Sequence, residues 1–318
     1  MLLLRTIIDS NRNLSLTTEH PIYISLRELR EPIDDFLQRS NTKSVETRGT
    51  YQRALRQFLK WCEIDRGFRF RVKDVERFKQ YLSRQKQLSD VSVSTYLTAL
   101  RRFCQHLVDE AFLKDNPAKH VGGNKRPMTH SRSPLRYTDV EKFLASVDKS
   151  SLLGARDYAM IKAMLGCGLS EIELIRANVG DIHHAQGKTL LSVQGKGRDS
   201  KDQTAVIPPH INTAIEGYLA TREHADPRQP LFLSAGNKIR GKRMTTRGIR
   251  ERVNYYLRRA GIKRKRIRRI TPFSLRHTAA LMMVDAGASA EDLRQRLRLG
   301  SIATAMIYLN QKGKLESK

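Results

Sequence analysis

The chain has 318 residues, of which 39% are hydrophobic, so it is long enough for two packed domains and too apolar for a disordered tail protein. Its 59 Lys and Arg residues outnumber 32 Asp and Glu residues, and the resulting formal charge of +27 indicates a polyanionic partner that releases counterions on binding. No stretch approaches the roughly 18 uninterrupted apolar residues of a membrane span, and the opening MLLLRTIID is too short for a signal segment, so we expect a soluble, cytoplasmic protein without a membrane partner.

The first part of the sequence predicts an N-terminal extension followed by an all-helical unit. Residues 1–39 lack a clear period apart from one short helix at 25–37, and we assign them to the extension. Residues 40–114 contain three amphipathic helices. In the first of these, apolar residues recur at intervals of three and four: Tyr51, Leu55, Phe58, Leu59 and Cys62. The three cysteines of the chain lie in such apolar patterns without metal-ligand spacing, so we interpret them as core thiols and expect no metal site.

A linker and a second, mixed unit follow. Residues 115–134 hold three prolines and two adjacent glycines, a composition typical of an extended interdomain linker. In the second unit, residues 135–318, the run TDVE at 138–141 has capping-box spacing and predicts a helix start. The β-type runs TLLSVQ and TAVIPP flank the basic turn GKGRDSKD and predict a hairpin. The fold class expected is therefore mainly α with a small β-sheet.

Positive charge is concentrated in one segment of the second unit. Residues 236–270 contain fifteen Lys or Arg residues and a single acid, Glu251, whereas a generic solvated face would interleave both signs. Tyr255, Tyr256 and Leu257 give this segment a side that we expect to face the core. We interpret the segment as a nucleic-acid surface, with a merely solvated face as the alternative. Candidate DNA-binding residues here and in the third helix of the first unit are Arg243, Arg247, Arg250, Lys263, Arg264, Arg101 and Arg102.

The last fifty residues resemble a known family. The run TPFSLRHTAALMMVDAGASAEDLRQRLRLGSIATAMIYLN, residues 271–310, is similar to the C-terminal signature of tyrosine recombinases, the phage integrase family. Local physics agrees with the pattern, since Gly287 is a natural helix stop and residues 289–292 have capping-box spacing for the next helix. Matching positions are Thr271, Pro272, Leu275, Arg276, His277, Thr278, Ala286, Gly287, Ile302, Thr304 and Tyr308.

Three further blocks match the same family in the right order. GLSEIELIRANVGDI, residues 168–182, resembles its Gly-Leu-Arg-x-x-Glu-Leu block, and QGKGRDSKDQTAVIPP resembles its β-hairpin block. STYLTALRRFCQHLVDEAFLKDNPA resembles the end of its helical domain. The resemblance covers roughly residues 40–310 and implies a helical, SAM-like core-binding domain followed by a mixed α+β integrase-like catalytic domain.

The family's chemistry gives three residues a catalytic role. Its tyrosine attacks a DNA phosphodiester to form a 3′-phosphotyrosyl link, which implies Tyr308 as nucleophile, Arg276 as phosphate clamp and Lys196 as the acid that protonates the 5′ oxygen. Planar guanidinium donors suit the charge that develops on the phosphoryl oxygens. The bond energy is conserved, so no cofactor is implied. The partners implied are double-stranded DNA and either a homo-oligomer, a tetramer on DNA, or another recombinase.

Several family positions are degenerate in this sequence. Ser170 stands where the family has its first arginine, and Phe273 stands where it has a histidine. A second histidine position aligns with Leu299, or with Ser301 under a shifted alignment. Other arginines that can substitute are Arg176, Arg296 and Arg298, whereas His277 is more typical of a packed core histidine.

Two functions compete at this point. The leading interpretation is a site-specific recombinase or integrase, of the kind carried by mobile elements and associated with the nucleoid if the host is bacterial. The alternative is a catalytically impaired DNA-binding paralogue that acts as an accessory or regulator of recombination, which Ser170, Phe273 and Leu299 favour and Tyr308 opposes. An RNA-binding protein is less favoured, because no base-stacking motif is present.

Overall fold

The computed structural model describes residues 26–39, 45–65, 68–124, 132–235, 240–263, 270–312 and 315. The chain divides between residues 127 and 128 into two compact units. The first unit is helical and the second combines helices with a small sheet, which confirms the predicted fold class.

Helices α1 to α4 build the first unit around an aromatic core. Their bounds are Leu26–Arg39 for α1, Val45–Ile64 for α2, Val72–Gln80 for α3, which continues into the π-helical turn Tyr81–Gln85, and Asp90–Asp109 for α4. The predicted apolar stripe of α2 faces inward. Edge-to-face ring contacts connect this helix to its neighbours. The ring centroid of Phe58 on α2 lies 5.0 Å from that of Phe68 and 5.3 Å from that of Phe78.

The helical core extends beyond the boundaries that the sequence suggested. Leu29, Ile33 and Phe36 of α1 are buried in the first core, so this helix packs within the unit rather than preceding it as an extension. Part of the predicted linker also packs here, because a 3₁₀ turn at Pro117–Lys119 buries Ala118 against the same core. The spacing of apolar residues in the sequence did not reveal either contact, since each segment supplies too few of them to form a long stripe.

The second unit combines short and long helices with an antiparallel sheet. Within the described residues, strands β1 (Ile182–Ala185), β2 (Lys188–Val193) and β3 (Gln203–Ile207) pair in the order of the chain. The predicted hairpin corresponds to β2 and β3, and β1 adds a strand that the sequence did not predict. The helices are α5 (Tyr137–Ala145), α6 (Leu152–Gly166), α7 (Glu171–Arg176), α8 (Pro209–Leu219), α9 (Thr246–Arg259), α10 (Phe273–Asp285), α11 (Ala290–Arg296) and α12 (Ile302–Leu309).

Two local expectations in this unit were wrong. Helix α5 begins at Tyr137, one residue before the predicted TDVE cap, and the Arg136 amide donates to the Asp139 carboxylate at 3.2 Å. Tyr255 of α9 is exposed, whereas Tyr256 and Leu257 are buried as expected. The polar cap of α5 thus lies at Arg136 and Asp139 instead of Thr138 and Glu141, and in α9 the packing of Tyr256 and Leu257 turns Tyr255 outward.

Two apolar clusters fill the second unit, and the smaller one holds the C-terminal helices. Ser289 caps α11 as predicted, with its amide donating to Asp292 at 2.9 Å, and Gly287 takes a φ of +88° after α10. All three cysteines of the chain are buried, which confirms their interpretation as core thiols. Across the described ranges, no helix has the length and apolar character needed to cross a bilayer.

Candidate active site and nucleic-acid interface

Tyr308 and Arg276 meet in the second unit although 32 positions separate them. Arg276 lies on α10, and Tyr308 lies on α12, where it is only 3% exposed. The ring of His277, one residue after Arg276, contacts the Tyr308 ring with centroids 5.4 Å apart. Burial raises the pKa of the Tyr308 phenol to about 12, while the positive charge of Arg276 acts in the opposite direction. The two residues that the sequence assigns to nucleophile and clamp therefore share one buried site.

Buried hydrogen bonds fix the guanidinium of Arg276. One terminal nitrogen donates to the Glu173 carboxylate at 2.8 Å, and the other donates to the carbonyl of Leu297, the residue after α11. Burial lowers the pKa of Arg276, and the charge of Glu173 opposes that effect. Because α7 and α11 both hold this side chain, its orientation is set before any ligand arrives.

Glu173 is the anion around which the site is organised. Its carboxylate accepts hydrogen bonds from Arg298 at 2.6 Å, from Arg276 at 2.8 Å and from the Ser170 amide at 2.7 Å. Burial disfavours the ionised form, but the two guanidinium groups outweigh it and lower the pKa of Glu173 to about 2. The sequence matched Glu173 to a family motif without assigning it a role, and the signal available was its capping-box spacing of three residues after Ser170.

Arg298 is the second arginine of the site. Its side chain is only 3% exposed, and it also donates to the carbonyl of Gly168 at 3.4 Å. The backbone of Arg298 has a φ of +53°, in the left-handed region that arginine rarely adopts. Through its bonds to Glu173 and Gly168, the guanidinium lies against residues 168–173, the block in which Ser170 replaces the arginine of the family.

The degenerate positions have structural roles of their own. Ser170 is the N-cap of α7, and its hydroxyl accepts from the Glu173 amide at 3.3 Å. Phe273 is 40% exposed at the start of α10, with its ring 5.0 Å from the His277 ring and under the guanidinium of Arg132 at 5.4 Å. Leu299 packs against the cluster that contains Tyr308. None of these three side chains supplies an imidazole or guanidinium to the site.

Among the described residues, Lys196 is not bonded to this group. It is exposed in the turn between β2 and β3, and in the part of the chain that the structure describes no hydrogen bond or ion pair joins it to Arg276 or Tyr308. Arg176 of α7 holds the start of this turn by donating to the carbonyl of Gly195 at 2.8 Å. The catalytic role of Lys196 stays a prediction.

Two of the candidate DNA-binding arginines bond to the protein's own backbone. Arg243 donates to the carbonyl of Ile175 at 2.6 Å and to the Asn178 side chain at 2.6 Å, which ties residues 175–178 to the segment before α9. Arg101 donates to the carbonyls of Ala118 and Val121 at 3.0 Å and 2.9 Å. The structure therefore gives both guanidinium groups a structural function.

The other candidates keep their charges at the surface. Arg247 and Arg250 of α9 form ion pairs with Glu251 and Glu171, at 2.8 Å and 2.6 Å. Lys263 donates to Asn254 at 2.7 Å, Arg102 is exposed on α4, and Arg264 lies outside the described residues.

A cavity of about 330 Å³ opens where this surface reaches α10. Three cations and one acid line it together with the exposed Phe273, so its charge is net positive. The buried hydroxyl oxygen of Thr271, on its wall, has no hydrogen-bond partner among the described residues. The cavity has the chemistry of an anion site next to the candidate active site. Its lining residues are Arg132, Glu171, Arg250, Asn254, Lys263, Thr271, Pro272 and Phe273.

A helical unit followed by a mixed unit that buries a tyrosine beside a clamped arginine is the arrangement of tyrosine-type DNA strand transferases. Comparison with protein families gives the same class. The model of the phage integrase family matches residues 134–314, and that of the phage integrase N-terminal SAM-like domain matches residues 29–112, beginning inside α1. The first match alone covers more than half of the sequence, so the chain belongs to the phage integrase family.

Individual relatives agree with this assignment. Tyrosine recombinase XerC of Leptospira interrogans (serovar copenhageni) is 29% identical over 293 residues, which cover 90% of this chain and 89% of that protein. Tyrosine recombinase XerC of Salmonella typhi is 33% identical over 227 residues, 71% of each chain. Among solved structures, the XerH site-specific recombinase bound to palindromic difH substrate superimposes with a TM-score of 0.70 at 19% identity, covering 98% of this chain and 91% of that one. The last comparison shows the shared fold.

Proposed function

We propose that this protein is a site-specific DNA recombinase in which Tyr308 cleaves and rejoins DNA strands through a 3′-phosphotyrosyl intermediate. The observation that carries the proposal is that Tyr308 and Arg276, on two different helices, share one buried site. Glu173 holds Arg276 in place there. Relatives at 29% and 33% identity are named tyrosine recombinases, which supports the same reaction class.

The proposed step exchanges one phosphate ester for another. The phenol oxygen of Tyr308 forms a bond to the phosphorus, the bond from phosphorus to the 5′ oxygen breaks, and the 3′ phosphate stays on the tyrosine. Arg276 stabilises the charge that develops on the phosphoryl oxygens. Lys196 delivers a proton to the leaving 5′ oxygen and is reprotonated by the proton that the phenol gives up, so the protons balance. Attack by a second 5′ hydroxyl reverses the step on a new strand.

Although Ser170, Phe273 and Leu299 depart from the family pattern, we favour the recombinase over the impaired paralogue, because Tyr308 is buried near an Arg276 that Glu173 holds in place. Removal of one transition-state donor costs about a hundred- to a thousand-fold in rate. Losses within one site need not multiply. We therefore expect slow but measurable strand cleavage.

Double-stranded DNA is the proposed partner, held by the surface cations Arg102, Arg247, Arg250 and Lys263 together with Arg264 of the same basic segment. Strand exchange between two DNA sites takes four protomers in the family, and we extend this to a tetramer of this chain or to a mixed assembly with another recombinase. A protein that acts on DNA works where the DNA is, which in a bacterium is the cytoplasm and its nucleoid.

The test is a covalent trap. Duplexes bound by the protein are selected from fragmented host DNA, and a bound duplex is then nicked next to the cleavage position so that the released strand diffuses away. We expect the wild-type protein to give a protein–DNA adduct on a denaturing gel and Tyr308→Phe to give none while binding the same duplex.

The control substitution is Tyr96→Phe, which removes the hydroxyl of a tyrosine packed on the core of the first unit. This variant is expected to form the adduct like the wild type. A tightly bound nicked duplex that yields no adduct with the wild type, or an equal adduct with Tyr308→Phe, would exclude the proposed nucleophile.

A further inference from the structure

Of the three arginines that the sequence offers in place of the missing one, only Arg298 reaches the site. Arg176 donates instead to the carbonyl of Gly195, at the turn that carries Lys196. Arg296 is exposed at the end of α11. Arg298 alone of the three bonds to the carboxylate that also holds Arg276.

The charges of this cluster do not cancel. Arg276 and Arg298 supply two positive charges and Glu173 one negative charge, so the group carries a surplus of one positive charge. Solvent screens little of it, because the side chains of Arg276 and Arg298 are 11% and 3% exposed. A buried charge without a partner is costly, and a phosphodiester, which carries one negative charge, would neutralise it.

Another buried cluster in the same unit also pairs two arginines with one acid, but one of its arginines is more exposed to solvent. Asp157 also holds two arginines, Arg156 at 2.6 Å and Arg252 at 2.6 Å. There, however, the Arg252 side chain is 32% exposed, so water screens the surplus charge. The surplus beside Tyr308 is the more enclosed of the two.

The geometry around Glu173 also determines how Arg276 is presented. A guanidinium beside a carboxylate tends to take both oxygens in a bidentate pair. Here it is Arg298 that takes both oxygens, donating to Oε1 at 2.6 Å and to Oε2 at 3.3 Å, and Arg276 bonds only to Oε2. Two of the five N–H donors of Arg276 make the bonds to Glu173 and Leu297, which leaves three for a phosphate.

We propose that Arg298 replaces the family's first arginine, whose position Ser170 occupies in this chain. It is a positioning residue that pairs with both oxygens of Glu173, so that Arg276 cannot form a bidentate pair there and stays turned toward the scissile phosphate, and it adds the second positive charge of the site. This inference rests on the proposed function, since it concerns the same site and the same phosphate.

The experiment moves the arginine from one position to the other. Arg298→Met fills the buried volume without the charge, and the double variant Ser170→Arg/Arg298→Met returns a guanidinium to residues 168–173. We expect Arg298→Met to slow adduct formation on saturating nicked DNA by about a hundred- to a thousand-fold, with DNA affinity nearly unchanged. The double variant should recover at least about tenfold of that loss, whereas Arg298→Lys should not, because an ammonium cannot copy the planar fork.

The matched control is Arg296→Met, which removes an exposed cation two positions away and should leave the adduct rate at saturating DNA unchanged. Circular dichroism melts of every variant report folding separately. Wild-type rates in a folded Arg298→Met protein, or a rate loss that the double variant does not recover although it folds, would overturn the inference. Absence of an adduct with the wild type itself would instead refute the proposed function, so the two failures are distinguishable.

Discussion

At the scale of single residues, Glu173 is the feature that joins separate parts of the second unit. It receives hydrogen bonds from Arg276 of α10, from Arg298 after α11 and from the backbone of Ser170. Burial disfavours the ionised carboxyl, and the two guanidinium groups together with the Ser170 amide outweigh that effect and lower its pKa to about 2. Its pKa is therefore a direct measure of whether the site is assembled.

This residue makes the second unit sensitive to acid. The fall of the Glu173 pKa from 4.5 to about 2 corresponds to about 3 kcal/mol of stability, present above about pH 5 and lost as the pH falls toward about 2. Glu173→Gln removes this contribution, so we expect the variant to unfold more easily than the wild type at neutral pH. The gap in unfolding free energy should shrink by about 2 kcal/mol between about pH 7 and about pH 3. Urea unfolding followed by circular dichroism measures it.

Two controls accompany this experiment. Glu291→Gln removes another carboxyl whose pKa its hydrogen bond to Arg294 holds low, but that side chain is 46% exposed, and solvent screening should leave almost no pH-dependent gap. Trp61 is the only tryptophan of the chain and lies in the first unit, so its fluorescence reports that unit separately. A constant gap across the pH range would show that Glu173 is not held ionised by its arginines.

Residue identities at the site were partly predictable. Tyr308 and Arg276 stand in a run that resembles the family's signature, and Gly287 predicted the end of the helix that carries Arg276, so sequence identified both residues, which lie on α12 and α10. Arg298 could be named only as one of three candidates, because its contact with Glu173 spans 125 positions and depends on a left-handed backbone at residue 298. Arg101 and Arg243 resembled surface cations in sequence, but their partners are backbone carbonyls that no spacing rule reveals.

At the scale of elements, α11 positions both the clamp and the nucleophile. The carbonyl of Leu297, just after this helix, accepts from Arg276, and α12 with Tyr308 begins five residues later. The helix has only seven residues, so its intrinsic stability is small and its cap carries a large share of it. Disruption of the α11 start should therefore loosen the site as well as the helix.

The cap offers a test with an internal control. Ser289 accepts from the Asp292 amide at 3.1 Å, so Ser289→Ala should lower the unfolding free energy of the second unit by about 1 kcal/mol. Ser301 precedes α12 in the same N-cap position but makes no side-chain cap bond, and Ser301→Ala should cost far less. Chemical denaturation of both variants measures the difference. Equal destabilisation by the two substitutions would mean that α11 does not depend on its cap.

At the scale of the whole molecule, charge and its placement determine how DNA is held. The net charge of +27 sets the strength of non-specific attraction to DNA. In the described structure, some cations donate to backbone carbonyls and others remain at the surface. Affinity should therefore fall steeply with salt, and the slope should depend on which cations are removed.

Replacement of Arg247 and Lys263 by alanine should reduce the slope of log affinity against log salt concentration by about 1 for each DNA phosphate that the protein no longer neutralises. The control is Arg228→Ala, which removes a cation that is 93% exposed but lies outside the basic segment. Fluorescence anisotropy over a salt series measures the wild type and both variants. An unchanged slope in the double variant, or an equal change in Arg228→Ala, would contradict the proposed surface.

The sequence by itself determined the family, through the resemblance of its motifs, and with it the positions of Tyr308 and Arg276. It also determined the two-unit division and the hairpin, because those features depend on local spacing of apolar and turn residues. Only the tertiary structure decided that α1 belongs to the first core, that Arg101 and Arg243 hold backbone carbonyls, and that Arg298 joins Arg276 on Glu173. The physical reason is common to all three. The structural role of a charged or apolar side chain depends on the partner that compensates its burial, and in each case that partner belongs to another segment of the chain.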